Sequence, residues 1–144
     1  MTWRVLTWNI LGAKSPDLVA IATYLRDCKP DAVALQEVRR TQAEDLARML
    51  GWNVAWRRKH YPLSPLVWWR AEGHALITPT KLVDVNHCVL SRGASAWTYR
   101  HRIMLAATVE RGNKRLRVYN VHLDSSSPDN RIEQARRAAQ FIAA

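Results

Sequence analysis

The stretch Asp31-Ala32-Val33-Ala34-Leu35-Gln36-Glu37-Val38 is a short apolar run that opens on an acidic residue and closes on two polar ones. A run of four apolar residues, Ala32 to Leu35, is what a strand covered on both faces requires, so it predicts an interior strand and not a half-exposed one. Upstream, Arg4 to Ile10 reads as another strand, because β-branched and aromatic residues dominate and alternation sets Thr7 and Asn9 opposite Trp8 and Ile10. A turn over Leu11 to Ser15 follows. Ser15 as N-cap and Pro16 at the first helical position then predict a helix carrying Leu18, Ile21, Ala22 and Leu25, stopped at Lys29-Pro30.

Downstream, Thr41 and Glu44 have the spacing of a capping box, with Ala43, Leu46, Ala47 and Leu50 on one helical face and Gly51 as the stop. The order to this point is β-α-β-α. Beyond Trp52 the helical period gives way to β-like runs at 53–56, 74–78, 83–90, 103–110 and 116–123, divided by turn signals at Pro62 to Pro65, Thr78-Pro79, Arg92-Gly93 and Gly112-Asn113. The last run sets Val118, Asn120, His122 and Asp124 against Tyr119, Val121 and Leu123. Ser127-Pro128-Asp129 then caps a helix carrying Ile132, Ala135, Ala139 and Ile142. This predicts α/β sheet architecture with helices on at least one face.

At 144 residues the chain reads as one domain, and 48% apolar against 24% charged residues excludes a disordered composition. Lys and Arg outnumber Asp and Glu by 22 to 12, a formal charge of +10 that favours polyanionic partners. Cys28 and Cys88 stand far apart with no C-x-x-C pair, so neither a disulfide framework nor a structural zinc site is expected. No segment approaches the roughly 20 apolar residues of a membrane helix. The opening MTWRVLTWNI alternates where a secretory leader would not, so a cytoplasmic protein is expected.

Three strands end in polar residues that a structural strand does not need: Asn9, Glu37, and the Asn120/His122/Asp124 face. In open α/β sheets, sites form beyond the carboxyl ends of strands. A carboxylate, an amide and an imidazole converging there suit a phosphoester, the carboxylate holding a hard cation while the other two donate to phosphoryl oxygens. Each residue also has a structural alternative. Glu37 can cap a turn, Asn9 can form one, and His122 can be a half-buried, hydrogen-bonded histidine.

The ordered set Thr7-Trp8-Asn9, Asp31-x-x-x-Leu35-Gln36-Glu37, Glu72-Gly73-His74-Ala75-Leu76-Ile77-Thr78 and Asn120-Val121-His122-Leu123 resembles the endonuclease/exonuclease/phosphatase family, and Ser127-Pro128-Asp129-Asn130-Arg131 with Gln134 resembles its S-P-x-N-R-x-x-Q helix start. The resemblance implies half of a four-layer α/β/β/α sandwich of the deoxyribonuclease-I-like type, with a mixed sheet and flanking helices. It implies a metal-dependent hydrolase of phosphoester bonds. Glu37 would bind Mg²⁺ or Mn²⁺, Asn9 would orient metal and phosphate, His122 would contact the scissile phosphate, and Glu72 would be a carboxylate partner of that histidine. Asn120, Asp124 and Arg131 are the candidate substrate contacts. The partner implied is a phosphoester substrate, nucleic acid among the options, with no obligate protein partner.

The family's later Asp-x-Asn and terminal Asp-His motifs do not follow Asn120-Val121-His122-Leu123 within residues 124–144. The resemblance therefore implies a domain truncated at its C-terminus and inactive as it stands. A missing second sheet would also leave an apolar sheet face open to water. A different reading rests on Trp52, Trp56, Arg57, Arg58, Lys59, His60, Trp68, Trp69 and Arg70, which interleave aromatic and basic residues as a non-catalytic platform for single-stranded nucleic acid would. Against it, tryptophans in such a segment can equally fill a sheet core. Gly12-Ala13-Lys14-Ser15 lacks the glycines and Gly-Lys pair of a phosphate loop and is discounted.

Overall fold

The computed structural model describes residues 2–61, 64–91, 97 and 101–144, so the turn signals at Pro62 and Arg92-Gly93 lie outside the described residues. The interior strand is β2 (Ala32–Arg39), and strict alternation along it builds two cores at once. Val33 and Leu35 face a cluster with Ile21, Leu25, Ala43 and Leu46, from helices α1 (Leu18–Cys28) and α2 (Arg40–Leu50). Ala32 and Ala34 face the opposite way, into a cluster with Leu105, Ala107, Val109 and Val118.

β2 lies parallel to β1 (Val5–Asn9) and antiparallel to β4 (Glu72–Thr78), which also pairs with β3 (Asn53–Arg58), giving a mixed sheet of order β1-β2-β4-β3. The second cluster belongs to an antiparallel sheet, β5 (Lys81–Val89), β6 (Ile103–Arg111) and β7 (Lys114–Val121), in sequence order. Its outer face is covered by α3 (Pro128–Ala143), where Met104, Tyr119, Val121 and Leu123 pack with Ala138 and Phe141. The layers are thus helices, mixed sheet, antiparallel sheet, helix: an α/β/β/α sandwich. The expectation that the first sheet's face lies open is corrected, because β6 and β7 already cover it.

Two helix starts differ from the sequence reading. Asp17, not Ser15, caps α1, its carboxylate accepting from Val19 N and Ala20 N at 3.0 Å each. Ser15 has a left-handed backbone with φ of 52° and belongs to the preceding 3₁₀ turn, Gly12–Lys14. α2 begins at Arg40, upstream of Thr41, because Gln42 Oε1 reaches back 2.9 Å to accept from Arg39 N. A carboxamide closes that turn as well as the expected carboxylate. Ser127 caps α3 as expected, its hydroxyl accepting from Asn130 N. Cys28 and Cys88 are free thiols, and no helix is long and apolar enough to cross a membrane.

The two sheets are joined by polar groups as well as by apolar packing. Gln36 Nε2 donates to Asn120 Oδ1 at 2.7 Å and to Thr7 Oγ1 at 3.0 Å. Asn120 Nδ2 donates to Leu35 O at 2.8 Å and to Ala75 O at 2.9 Å, and Asn120 O accepts from the His74 ring at 3.2 Å. The network spans β1, β2, β4 and β7. Buried polar groups lose more when one partner is removed than the bond itself contributes. Asn120→Ala is therefore expected to lower stability by about 2–4 kcal/mol, read as a fall in urea midpoint. A wild-type midpoint would show that the network carries no stability.

Candidate active site

Glu37 is positioned by a break in its own strand. The β2–β4 register shifts between Gln36 and Val38, and Glu37, at the shift, has φ of 51°. A β-bulge leaves one residue out of the ladder and re-aims its side chain, and the left-handed backbone disfavours any residue with a Cβ by roughly 1–3 kcal/mol. Gly12 makes the bulge possible. A Cβ there would lie 2.4 Å from Glu37 O and 2.5 Å from Gln42 Oε1, so the 3₁₀ turn can close on the bulge only with glycine.

His122 follows directly after β7, on the far sheet, and its Nε2 lies 3.7 Å from Glu37 Oε1. The loop that holds it is tied to α3. Asp124 Oδ1 accepts from Ser126 N and Ser126 Oγ at 2.8 Å and from Ser127 N at 3.1 Å. Gln134 Oε1 accepts from Asp124 N at 2.8 Å, and Arg131 Nη1 donates to the carbonyls of Asp124 and Ser125 at 3.0 Å. These bonds, from the Ser126 hydroxyl first, hold the Asp124 carboxyl well below the usual carboxylate range.

The structure thus brings Glu37 and His122 together and gives the other expected site residues different contacts. Asp124 and Arg131 shape the loop behind His122. Asn120, 1% exposed, joins the sheets and presents no amide to a substrate. Asn9 stands opposite Gln36 in the β1–β2 register, its Oδ1 accepting from Leu11 N at 3.1 Å. Glu72 accepts from Ala13 N at 2.8 Å, so the carboxylate beside His122 is Glu37 and not Glu72.

Over residues 6–143 the chain matches the model of the endonuclease/exonuclease/phosphatase family. It belongs to that family. No curated protein matches it in sequence. Among solved structures it is similar to an endonuclease/exonuclease/phosphatase family protein from Leptotrichia buccalis, at 15% identity and TM-score 0.79, over 97% of this chain and 63% of that one. It is similar to the Bacteroides thetaiotaomicron mannosyl-6-phosphatase at 16% identity and TM-score 0.78, over 98% of this chain and 59% of that one. It is also similar to D. rerio TDP2 complexed with single-strand DNA product, at 20% identity and TM-score 0.73, over 98% of this chain and 54% of that one. The chain spans less than two thirds of each of these relatives.

Within the family fold, the Glu37–His122 cleft has positive walls that the motifs do not announce. Lys59, 2% exposed, follows β3 and its backbone N–H is bonded to Glu72 O at 3.0 Å. Burial lowers the Lys59 pKa first, Arg102 lowers it further, and Glu37 and Glu72 oppose both. Arg102, also 2% exposed, precedes β6. Glu72 is shifted upward, by burial first and by Glu37 among the smaller causes. His122 is shifted downward by burial first, then by Lys59 and Arg102 against the pull of Glu37, so its ring is neutral at neutral pH. Its contact with Glu37 is therefore a neutral imidazole beside a carboxylate. Nothing in the sequence sets Arg102 apart from the other basic residues, and Lys59 stands out there only as one of the basic residues interleaved with tryptophan over 52–70. Gln36 had one signal, a carboxamide at the end of an apolar run.

His74 and His60 flank this cleft, and burial brings them down to about 3 and about 4 respectively. A histidine whose folded pKa lies below its unfolded value of roughly 6.5 stabilises the fold above that value, and the contribution is lost as pH falls toward the folded pKa. Urea stability should accordingly decline from pH 6.5 toward about 3 for His74. His74→Asn should flatten that decline. An unchanged slope would remove His74 as its source.

Proposed function

We propose that this chain carries one wall of the active site of a metal-dependent hydrolase of phosphoester bonds. The observation that carries the reading is the meeting of Glu37 and His122 from opposite sheets, 3.7 Å apart, one on a strained bulge and the other on a loop braced by α3. Strain and bracing of this kind are costs that a purely structural strand end has no reason to bear. Two of the similar structures are a mannosyl-6-phosphatase and a protein complexed with a single-strand DNA product.

In this reading Glu37 would hold Mg²⁺ or Mn²⁺, with Asn9 near the same strand ends. The donor set fits a hard cation only as part of its shell. No group of three or more His, Cys, Asp and Glu suited to a metal occurs among the described residues. Mg²⁺ commonly takes one or two carboxylates and completes its shell with water and substrate phosphate, so Glu37 suits one corner of it. When bound, the metal would act as a Lewis acid on a phosphoryl oxygen. His122, neutral and oriented, would donate to a phosphoryl oxygen or to the leaving oxygen. Lys59 and Arg102 would offset charge that builds on the phosphate during in-line displacement by water.

The chain alone is not expected to turn over, because the described residues bring just Glu37 and Glu72 to the cleft as carboxylates. Bis(p-nitrophenyl) phosphate and p-nitrophenyl phosphate should be hydrolysed at background rates by residues 1–144 in Mg²⁺ or Mn²⁺. In a longer form with Mg²⁺-dependent turnover, Glu37→Gln and His122→Ala should each lower kcat by about 10²-fold or more. Turnover that survives Glu37→Gln would sink the metal role, and turnover that survives His122→Ala would sink the phosphate contact.

A further inference from the structure

The first part of the aromatic and basic segment forms β3, and Trp52 and Trp56 pack against the core of the mixed sheet. In the order β1-β2-β4-β3 this strand is an edge, paired with β4 alone. Its register runs unbroken from Asn53 opposite Thr78 to Arg58 opposite Gly73. One residue further, Lys59 stands opposite Glu72, and Lys59 N donates to Glu72 O at 3.0 Å. Facing residues of an antiparallel pair alternate between hydrogen-bonded and non-bonded. Counted back from Lys59, Arg57, Ala55 and Asn53 turn their N–H and C=O toward β4, whereas Arg58, Trp56 and Val54 turn theirs outward. Among the described residues, no backbone bond meets those outward groups.

Such an edge is a template for another strand unless it is bent, shortened or covered. β5, an edge of the facing sheet, is bent. Its register shifts between Val83 and Asn86, Asp84 has φ of 52°, and Arg117 donates to Asp84 O and Asn86 Oδ1. β3 has neither proline nor bulge. Beside it lies a cavity of about 620 Å³, lined by Val54, Trp56 and Arg58 of the strand, Arg40 of α2 and His87 of β5. Arg57 also lines it, its Nε donating to His87 Nε2 at 3.1 Å.

The cavity wall is basic. Glu44, the one carboxylate among its lining residues, is held by Arg40 at 2.7 Å. Burial first and Arg57 next lower the His87 pKa, so its ring is neutral at neutral pH and accepts from Arg57. Arg58 Nη2 donates to Tyr61 Oη at 2.9 Å, another uncharged partner. Arg57 and Arg58 thus place positive charge at successive residues, one on each face of the strand.

We propose that the β3 edge is a docking site for an acidic, extended segment of another protein, which joins the four-stranded mixed sheet as a further strand. The outward groups of Val54, Trp56 and Arg58 pair with the incoming backbone, while Arg57, Arg58 and Arg40 meet its carboxylates. Charge selects the occupant. A second copy of this chain would bring a formal charge of +10 and its own arginines to the same edge. A nucleic-acid strand would answer the charge but has no amides in step with the outward N–H and C=O groups. Neither Glu37 nor His122 lines this cavity, so docking here is independent of the hydrolase reading.

The test is an anisotropy titration of the fluorescein-labelled hexapeptide Glu-Val-Glu-Val-Glu-Val with the full chain. It should bind, and the corresponding Lys-Val hexapeptide should not. The fully N-methylated Glu-Val peptide keeps the carboxylates and loses the amide donors, so it should not bind either. Arg57→Glu with Arg58→Glu should weaken binding roughly ten-fold or more, and Arg57→Lys with Arg58→Lys should keep most of it. In the wild-type chain, peptide should slow amide exchange at Val54, Trp56 and Arg58 and leave Asn53, Ala55 and Arg57, already bonded to β4, little changed. No binding of the Glu-Val peptide would overturn the proposal, as would equal binding of its N-methylated form, which would reduce the contact to charge attraction. So would exchange that is slowed elsewhere and not at Val54, Trp56 and Arg58. Dimerisation at micromolar concentration without peptide, with the same three amides slowed, would assign the edge to a second copy and overturn it too.

Discussion

The hydrogen bond between Gln36 and Asn120 is the constraint on which the remainder of this structure depends. Two β-sheets packed face to face through alanine, valine and leucine can slide with little change in apolar area, since burial is non-directional. A carboxamide pair with defined donors and acceptors cannot, because each group left without its partner in a dry interior loses a bond it had in water. Gln36 is one residue before Glu37, and Asn120 is two before His122. The bond that registers one sheet on the other thus also fixes the separation of the two side chains that face the cleft. That coupling explains why Asn120 carries no exposed amide. Its three partners lie on β2 and β4, and a substrate contact would have to break one of them.

Around this pin, three of the five non-glycine residues with positive φ among the described residues gather in one place. Leu11 and Ser15, with φ of 50° and 52°, flank the Gly12–Lys14 turn, and Glu37, with φ of 51°, lies against it. Non-glycine residues in this region need surroundings that over-determine them. Here the surroundings are specific: Gly12 admits the close approach, Gln42 Nε2 donates to Gly12 O at 2.9 Å, and Glu72 accepts from Ala13 N. Elements from four parts of the chain therefore meet to hold one glutamate out of its ladder. On the opposite sheet the same task is done by side chains, with Asp124, Arg131 and Gln134 closing the loop below His122.

The fold was legible where period and covering agree. Ala32 to Leu35 announces an interior strand because both of its faces are buried, and the clean alternation after Val118 announces a strand between two layers. Helix starts were less legible. Asp17 and Ser15 are both good caps by type, and the choice was made by the tertiary strain that places Ser15 in a left-handed turn. The second sheet's role was misjudged for a different reason. Its strands were visible, but whether they extend the first sheet or cover it is set by long-range pairing, which local pattern does not encode. At the site, Glu37 and His122 stood out because polar residues ended apolar strands. Asp124 stood out for the same reason and Arg131 through the helix-start motif, and both bond to the loop below His122, since a polar residue near a strand end satisfies backbone groups as readily as it meets a ligand.

The charge of +10 acquires meaning only when it is localised. At the cleft Glu37 and Glu72 face the positive charges of Lys59 and Arg102. A divalent cation entering alone would add two positive charges beside these two buried basic residues, and a phosphoester entering alone would meet Glu37 at close range. Together they nearly cancel. Under the proposed reading, metal and phosphate should therefore bind this wall as a pair, each supplying the charge that makes the other tolerable in a half-buried cleft. The same logic accounts for His122. With Lys59 and Arg102 already present, a protonated imidazole would add a further positive charge, and keeping the ring neutral leaves the carboxylate of Glu37 available to a cation instead of to an ion pair.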